Sequence, residues 1–180
     1  YHIGEGCLIN PKQNLGGYIR SRFTPLAERL SRRFGYPTIL YARRGYDAVC
    51  VQRVDGWNPI QIYLNKVGDR RPLGMGSATL SILAALPEEE AEAILARNEE
   101  EIRWVLQTDF TALRRFLEQA RRQGYAASSD MLLKGTIGVS HALRMGDEVI
   151  GSIAVDAMRS EQWERDEAFI VRELKESLLF

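Results

Sequence analysis

Two pairs of β-rich runs, one on each side of a long helical tract, limit what this chain can fold into. Residues 38–42 and 48–54 are rich in β-branched and aromatic side chains and flank Arg43-Arg44-Gly45-Tyr46-Asp47, which reads as a hairpin turn. Residues 137–145 and 149–155 flank Gly146-Asp147. Here Val139, His141 and Leu143 face Val149, Gly151, Ile153 and Val155 with a period of two. Residues 60–64 are a candidate third strand beside the first hairpin. Thr24 and Pro25 mark a helix start, with Phe23, Leu26, Leu30 and Phe34 on one face and Gly35 as the stop. Residues 77–86 read as a small, apolar, buried helix. Pro87-Glu88-Glu89-Glu90 opens another, its acids at the positive end of the helix dipole. A third covers residues 109–123, turning Phe110, Leu113, Phe116, Leu117 and Ala120 inward and stopping at Gly124. Ser160 caps a last amphipathic helix carrying Trp163, Ile170, Leu174 and Leu178. Helix, sheet, helices, sheet, helix in that order predicts an α+β domain: an antiparallel sheet flanked by helices.

Charge narrows the function. Twenty-four basic residues balance 24 acidic ones, whereas a domain that grips DNA alone carries a basic excess on one face. Cys7 and Cys50 stand far apart with no Cys or His at metal spacing, which suits a reducing cytoplasm and argues against a disulfide framework. No apolar run approaches the roughly 20 residues that span a bilayer. The polar opening, broken by Asn10-Pro11 and Gly16-Gly17, reads as a linker, and Tyr1-His2-Ile3-Gly4 reads as the middle of a longer chain.

The residues that carry chemistry are few. Gly74-Met75-Gly76-Ser77-Ala78 leads into a helix, where free N–H groups favour an anion and glycines permit close approach. The alternative is a helix start that Ser77 caps for itself. Asp130, Gly135, Thr136 and Gly138 punctuate a polar stretch that by itself reads as a surface loop. Ala154 and Asp156 lie two apart on one strand and share a face. Either the strand has ended and Asp156 is solvated, or Asp156 faces a pocket, repels a simple carboxylate and welcomes an amine or hydroxyl donor. His141 and His2 lack partners at ligand spacing and read as structural, so no metal or cofactor is expected. No Ser-His-Asp, Gly-x-Ser-x-Gly or phosphate-loop pattern occurs, so no catalytic residue is assigned. The paired arginines at 32–33, 43–44, 70–71, 114–115 and 121–122 read as solvated faces. Trp57 reads as an oligomer contact or as a cover for the sheet edge.

Several segments in order resemble the isocitrate lyase regulator (IclR) family of bacterial transcription regulators. Tyr1-His2-Ile3-Gly4 is similar to the end of its winged-helix domain. Val51-Gln52-Arg53-Val54-Asp55-Gly56, Val67-Gly68-Asp69-Arg70-Arg71-Pro72-Leu73 and Ala84-Ala85-Leu86-Pro87-Glu88-Glu89-Glu90 follow its strand, loop and helix signature. Arg121-Arg122-Gln123-Gly124-Tyr125-Ala126 and Ile150-Gly151-Ser152-Ile153-Ala154-Val155 match its C-terminal half. The resemblance implies a GAF-like effector-binding domain over residues 18–180, with residues 1–17 a residual linker after a missing DNA-binding domain. It implies a homodimer or homotetramer that senses a small-molecule effector and meets DNA only through the missing domain. It places the effector near Gly76, near the main-chain donors of Ser77 and Ala78, near Thr136 and Gly138 at the rim, and near Ala154 and Asp156, where relatives carry serines. One departure stands out: where relatives read Pro-Leu-His-Ala-Thr-Ala-x-Gly-Lys-Ala, this chain has Pro72-Leu73-Gly74-Met75-Gly76-Ser77-Ala78-Thr79-Leu80-Ser81, without the His, the Gly or the Lys. A small enzyme acting on an organic acid, or an oligomerisation module that has lost its ligand, are the alternatives.

Overall fold

Alternation along one central strand organises the molecule. The structure, a computed structural model, describes residues 14–106 and 110–178. Strand β1 (Thr38–Arg44) turns Ile39 and Tyr41 to one side and Leu40 and Ala42 to the other, and all four are buried. Around it, β2 (Asp47–Val54), β3 (Arg70–Pro72), β4 (Ala126–Ser129), β5 (Thr136–Met145) and β6 (Glu148–Met158) build one six-stranded sheet in the order β3-β2-β1-β6-β5-β4. Every neighbouring pair is antiparallel.

Helices cover both faces. On the Leu40 side lie α1 (Leu15–Phe34) and α5 (Glu161–Leu178), whose Ile19, Leu30, Trp163 and Ile170 pack with Val139, Ile153 and Val155. On the Ile39 side lie α2 (Ser77–Ala85), α3 (Glu88–Leu106) and α4 (Phe110–Gln123), whose Leu80, Leu83, Leu95 and Leu117 pack with Tyr41, Cys50 and Ala154. The expected α+β architecture is the observed one. Both hairpins form at the expected turns, and Ser160 Oγ accepts the Trp163 N–H at 3.2 Å at the start of α5.

Three expectations need correction. Helix α1 starts at Leu15, not near Thr24: Asn14 caps it by accepting the Gly17 N–H at 3.0 Å, and Pro25 lies inside. Residues 15–17, read as the end of a linker, are therefore its first turn. The reason is packing: Gly16 lies so close to β2 that a Cβ would sit 3.2 Å from Val51 Cγ1, and Ile19 is fully buried. The third strand is Arg70–Pro72 and not residues 60–64, which stay irregular; residues 126–129 add a β4 not anticipated. Phe116 is 37% exposed, since the buried stripe of α4 is Phe110, Leu113, Leu117 and Ala120. Trp57 sits at the end of α1. Its indole N–H donates to Arg32 O at 3.0 Å, and its ring lies against Gly35 at the end of α1. Tyr1 to Gly4, Cys7 and His2 lie outside the described residues.

Asn98 ties the helical layer to the sheet. This buried α3 side chain donates through Nδ2 to Tyr46 O at 2.8 Å, in the β1–β2 turn, and to Leu73 O at 3.2 Å, just before α2. Asn98→Ala would leave both carbonyls without that donor, so we expect a loss of about 2 kcal/mol. Urea denaturation tests it, and a change within about 0.5 kcal/mol would show that neither carbonyl depends on Asn98.

Candidate functional site

A helix start without a cap is the first component. Gly74 (φ 118°) and Gly76 (φ 86°) occupy backbone conformations that side-chain-bearing residues avoid, and they turn the chain sharply between β3 and α2. A Cβ at Gly74 would sit 2.6 Å from Ile102 Cδ1. Gly76 is the N-cap and has no side chain to cap with, so the reading in which Ser77 caps its own turn does not hold. Two bonds fix the turn: Gly74 N–H to Thr79 Oγ1 at 3.2 Å, and Ser140 Oγ to Ser77 O at 2.6 Å, which clamps α2 to the sheet. With all of residues 77–83 buried, α2 carries the positive end of its dipole inside the protein.

A cavity opens at that helix start. Met75, Gly76, Ser77 and Ala78 form one wall, and Tyr41 and Asp156 lie on the sheet side. Ser128, Thr136 and Ile137 contribute from β4 and β5, while Ile62, Leu64 and Leu132 close over it from two irregular loops. The cavity is small, ≈ 30 Å³, on the order of two water positions. Of the residues expected at the site, Gly76, Ser77, Ala78, Thr136 and Asp156 line it. Gly138 and Ala154 do not. Gly138 lies beneath, where a Cβ would stand 2.3 Å from Asp156 Oδ1 and 3.2 Å from Ser77 Oγ, and Ala154 is sealed in the core opposite Ser140. Thr136 uses its hydroxyl proton on Leu133 O at 2.6 Å.

Asp156 lies inside β6, not beyond its end. Burial pushes its carboxyl up to about 6, and the nearby Arg71 and Arg53 guanidinium groups only partly offset this. Burial first, and then the Asp156 charge, push the Tyr41 phenol well above its ordinary value. Arg71, read as part of a solvated run, instead lines the cavity. Its Nη2 donates to Asn65 Oδ1 at 2.6 Å and Leu64 O at 3.3 Å, and Nη1 would lie 3.9 Å from a Cβ on Gly76. Arg53, on the same sheet face, stacks 4.2 Å over Tyr63 and bonds Asp55 through Nε at 2.6 Å, while its two terminal nitrogens are buried without a hydrogen-bond partner among the described residues. Sequence reasoning missed Arg71, Asn65 and Tyr41. The one available signal was that Arg71 sits one residue before Pro72, at the entrance to the glycine turn.

Asp130 acts as a fastener beside the site rather than a ligand. It stands at φ 57°, accepts the Gly135 N–H at 2.6 Å and pairs with Arg159, closing the loop that carries Leu132. The Gly135 N–H, more than Arg159, holds its carboxyl below the usual range. His141 is half-buried on β5, with Nδ1 2.8 Å from Ala142 O, and desolvation lowers its pKa. Among the described residues no group of His, Cys, Asp or Glu is placed to hold a metal ion, and no helix is long and apolar enough to cross a membrane.

Comparison with known proteins agrees with this architecture. Residues 16–178 match the family described as bacterial transcriptional regulator IclR C-terminal. Over 81 residues the chain is 35% identical to the HTH-type transcriptional regulator KipR of Bacillus subtilis (strain 168), a match covering 45% of this chain and 32% of that protein. The chain thus aligns with about a third of that relative's length. The crystal structure of Thermotoga maritima IclR superposes with a TM-score of 0.77 at 21% identity, over 92% of this chain and 70% of that one. An IclR homolog from Microbacterium hydrocarbonoxydans, solved in complex with 4-hydroxybenzoate, superposes with a TM-score of 0.73 at 23% identity, over 92% and 67%. At those identities the two structures speak to the fold.

The Asp156 carboxyl makes a pH prediction. Its folded value of about 6 exceeds the unfolded value of about 3.9. Its favourable contribution is therefore complete below about pH 4 and lost as the pH rises through about 6. Asp156→Asn should gain about 2–3 kcal/mol over the wild type at pH 7.5 relative to pH 4. Denaturation of both proteins at the two pH values measures it, and a difference independent of pH would place the carboxylate in water.

Proposed function

The chain belongs to the IclR family of bacterial transcriptional regulators, as a match to its C-terminal domain, and on that premise we propose that it is an effector-sensing domain. A small organic molecule binds at the buried start of α2 and alters DNA binding by a separate domain of the same regulator, in a homodimer or homotetramer in the cytoplasm. The observation that carries this reading is the cavity in which an uncapped helix start, Arg71 and Asp156 converge. A fully packed core has no use for such a meeting of charge and a helix start without a side-chain cap. The relative solved with 4-hydroxybenzoate supports a small-molecule effector.

Sensing requires two arrangements that bind the ligand unequally. The cavity offers the means. At ≈ 30 Å³ it admits a ligand only as Leu132, Leu64 and Ile62 give way, so occupancy is coupled to the position of residues 55–69 and 130–135. We read the domain as non-enzymatic: the cavity holds one carboxylate and one guanidinium but no nucleophile paired with a base.

The narrowness of the cavity favours a second reading, an oligomerisation module without a ligand. Thermal-shift screening with small carboxylates, amino acids and aromatic acids separates the two. An effector at a hundred times its Kd should add about 2.7 kcal/mol, raising Tm by roughly 5–10 °C. No shift with any compound would leave only the oligomerisation module.

A further inference from the structure

We propose that the effector is a zwitterion, carrying a carboxylate and a protonated amine on the same or adjacent carbons, with an α-amino acid as the simplest class. This rests on the sensor reading and adds the ligand's chemistry.

The cavity has two ends of opposite character. At one, the N–H groups of the first α2 turn lack a side-chain cap, and Arg71 Nη1 approaches Gly76. Both favour an anion. At the other stands the Asp156 carboxylate, which lines the cavity. Arg71 forms no ion pair with it among the described residues and offsets its charge only from a distance, its Nη2 being held by Asn65 and the Leu64 carbonyl. Arg53 makes no hydrogen bond or ion pair with it among the described residues: its Nε is bound to Asp55, its guanidinium is stacked on Tyr63, and its two terminal nitrogens are buried without a hydrogen-bond partner. Each charge therefore faces the cavity with its partner position open.

A plain carboxylate would satisfy the helix start and Arg71 but leave Asp156 facing a second negative charge in a desolvated space. A plain amine would reverse the fault at Arg71. A molecule with both groups answers both ends and brings no net charge into the core. The spacing is short. The space left by the missing side chain of Gly138 touches Asp156 Oδ1 and Ser77 Oγ together, so the acidic end and the helix start share one small neighbourhood. That suits charges on adjacent atoms better than charges at the ends of a chain. Ile62, Leu64 and Leu132 above provide an apolar surface for the rest of the molecule.

The test uses matched sets that differ only at the α-carbon: alanine, lactate and propanoate; leucine, 2-hydroxy-4-methylpentanoate and 4-methylpentanoate; phenylalanine, 3-phenyllactate and 3-phenylpropanoate. Calorimetric titration into the wild-type chain at pH 7.5 should show, in at least one set, the amine binding at least about ten-fold tighter than the member with hydrogen. In Asp156→Asn that preference should fall below about three-fold, the plain acid gaining relative to the amine. Acids binding as well as their amines, or a hydroxy acid leading its set, would overturn the zwitterion while the sensor stands. So would 4-hydroxybenzoate binding where no set does. An amine preference unchanged in the variant would remove Asp156 from the site. Failure of every compound to bind would defeat both proposals. Should the variant not fold, the wild-type ranking alone decides.

Discussion

Burying the first turn of α2 without a cap is the constraint on which the rest of the site depends. A helix start has four N–H groups in want of acceptors, and most proteins answer with a Ser, Thr, Asp or Asn side chain or with water. Here the position holds Gly76, whose φ of 86° excludes an ordinary cap residue, and the turn lies under the sheet. Because Ser140 pins Ser77 O and Asn98 pins Leu73 O, the turn cannot swing out to solvent. The fold thus holds the positive end of a dipole in place, with the Gly76 N–H on Met131 Sδ and no side-chain cap on the turn.

The second consequence is electrostatic. Asp156 sits on the same sheet face as Ala154, which packs in the core opposite Ser140, and among the described residues it forms no ion pair there. Its carboxyl is raised to about 6 because desolvation outweighs the attraction of Arg71 and Arg53. Arg71 and Arg53 are themselves tethered sideways, to loop residues 64–65 and to Asp55. Were either free to turn inward, the three charges would collapse into a structural ion pair and the cavity would lose its polarity. Loop contacts, not the sheet, keep the charges apart.

Much of this was legible in the sequence, and the misses share a cause. Both hairpins, the glycine turn and the buried character of α2 came from period, turn chemistry and composition, which act locally. Ser77, Ala78, Thr136 and Asp156 came from the family resemblance, joined to the glycine-led helix start for the first two and to strand parity for Asp156. What local pattern could not show was direction in three dimensions. Pro25 signalled a helix start, yet Gly16 and Ile19 pack so closely on the sheet that the helix begins earlier and absorbs it. Arg71 looked like one more surface arginine. It lines the cavity because β3 pairs Arg71 with Ala48 at the sheet edge, a register that no short window of sequence contains. Asp156 was left between two readings because strand ends are set by pairing, and β6 continues to Met158 opposite Thr136.

The roof explains how so small a cavity can serve a sensor. The floor and wall are strands and helices with their backbone bonds made internally, so they resist deformation. Residues 55–69 and 130–135 have no regular structure, and each is held by side-chain contacts, some at its ends and, in the first, some at Tyr63 to Asn65. In the first, Gly68 and Asp69 bond β2 at Cys50, and Trp57 anchors to α1. In the second, Asp130 joins Gly135 and Arg159. Between those anchors Tyr63, Leu64 and Leu133 are exposed, whereas Ile62 and Asn65 are buried, so opening the first loop uncovers those two side chains and breaks the Arg71–Asn65 bond. Free energy from filling the cavity is therefore opposed mainly by loop contacts, and the loops, which extend to the protein surface, are the elements that carry the change outward.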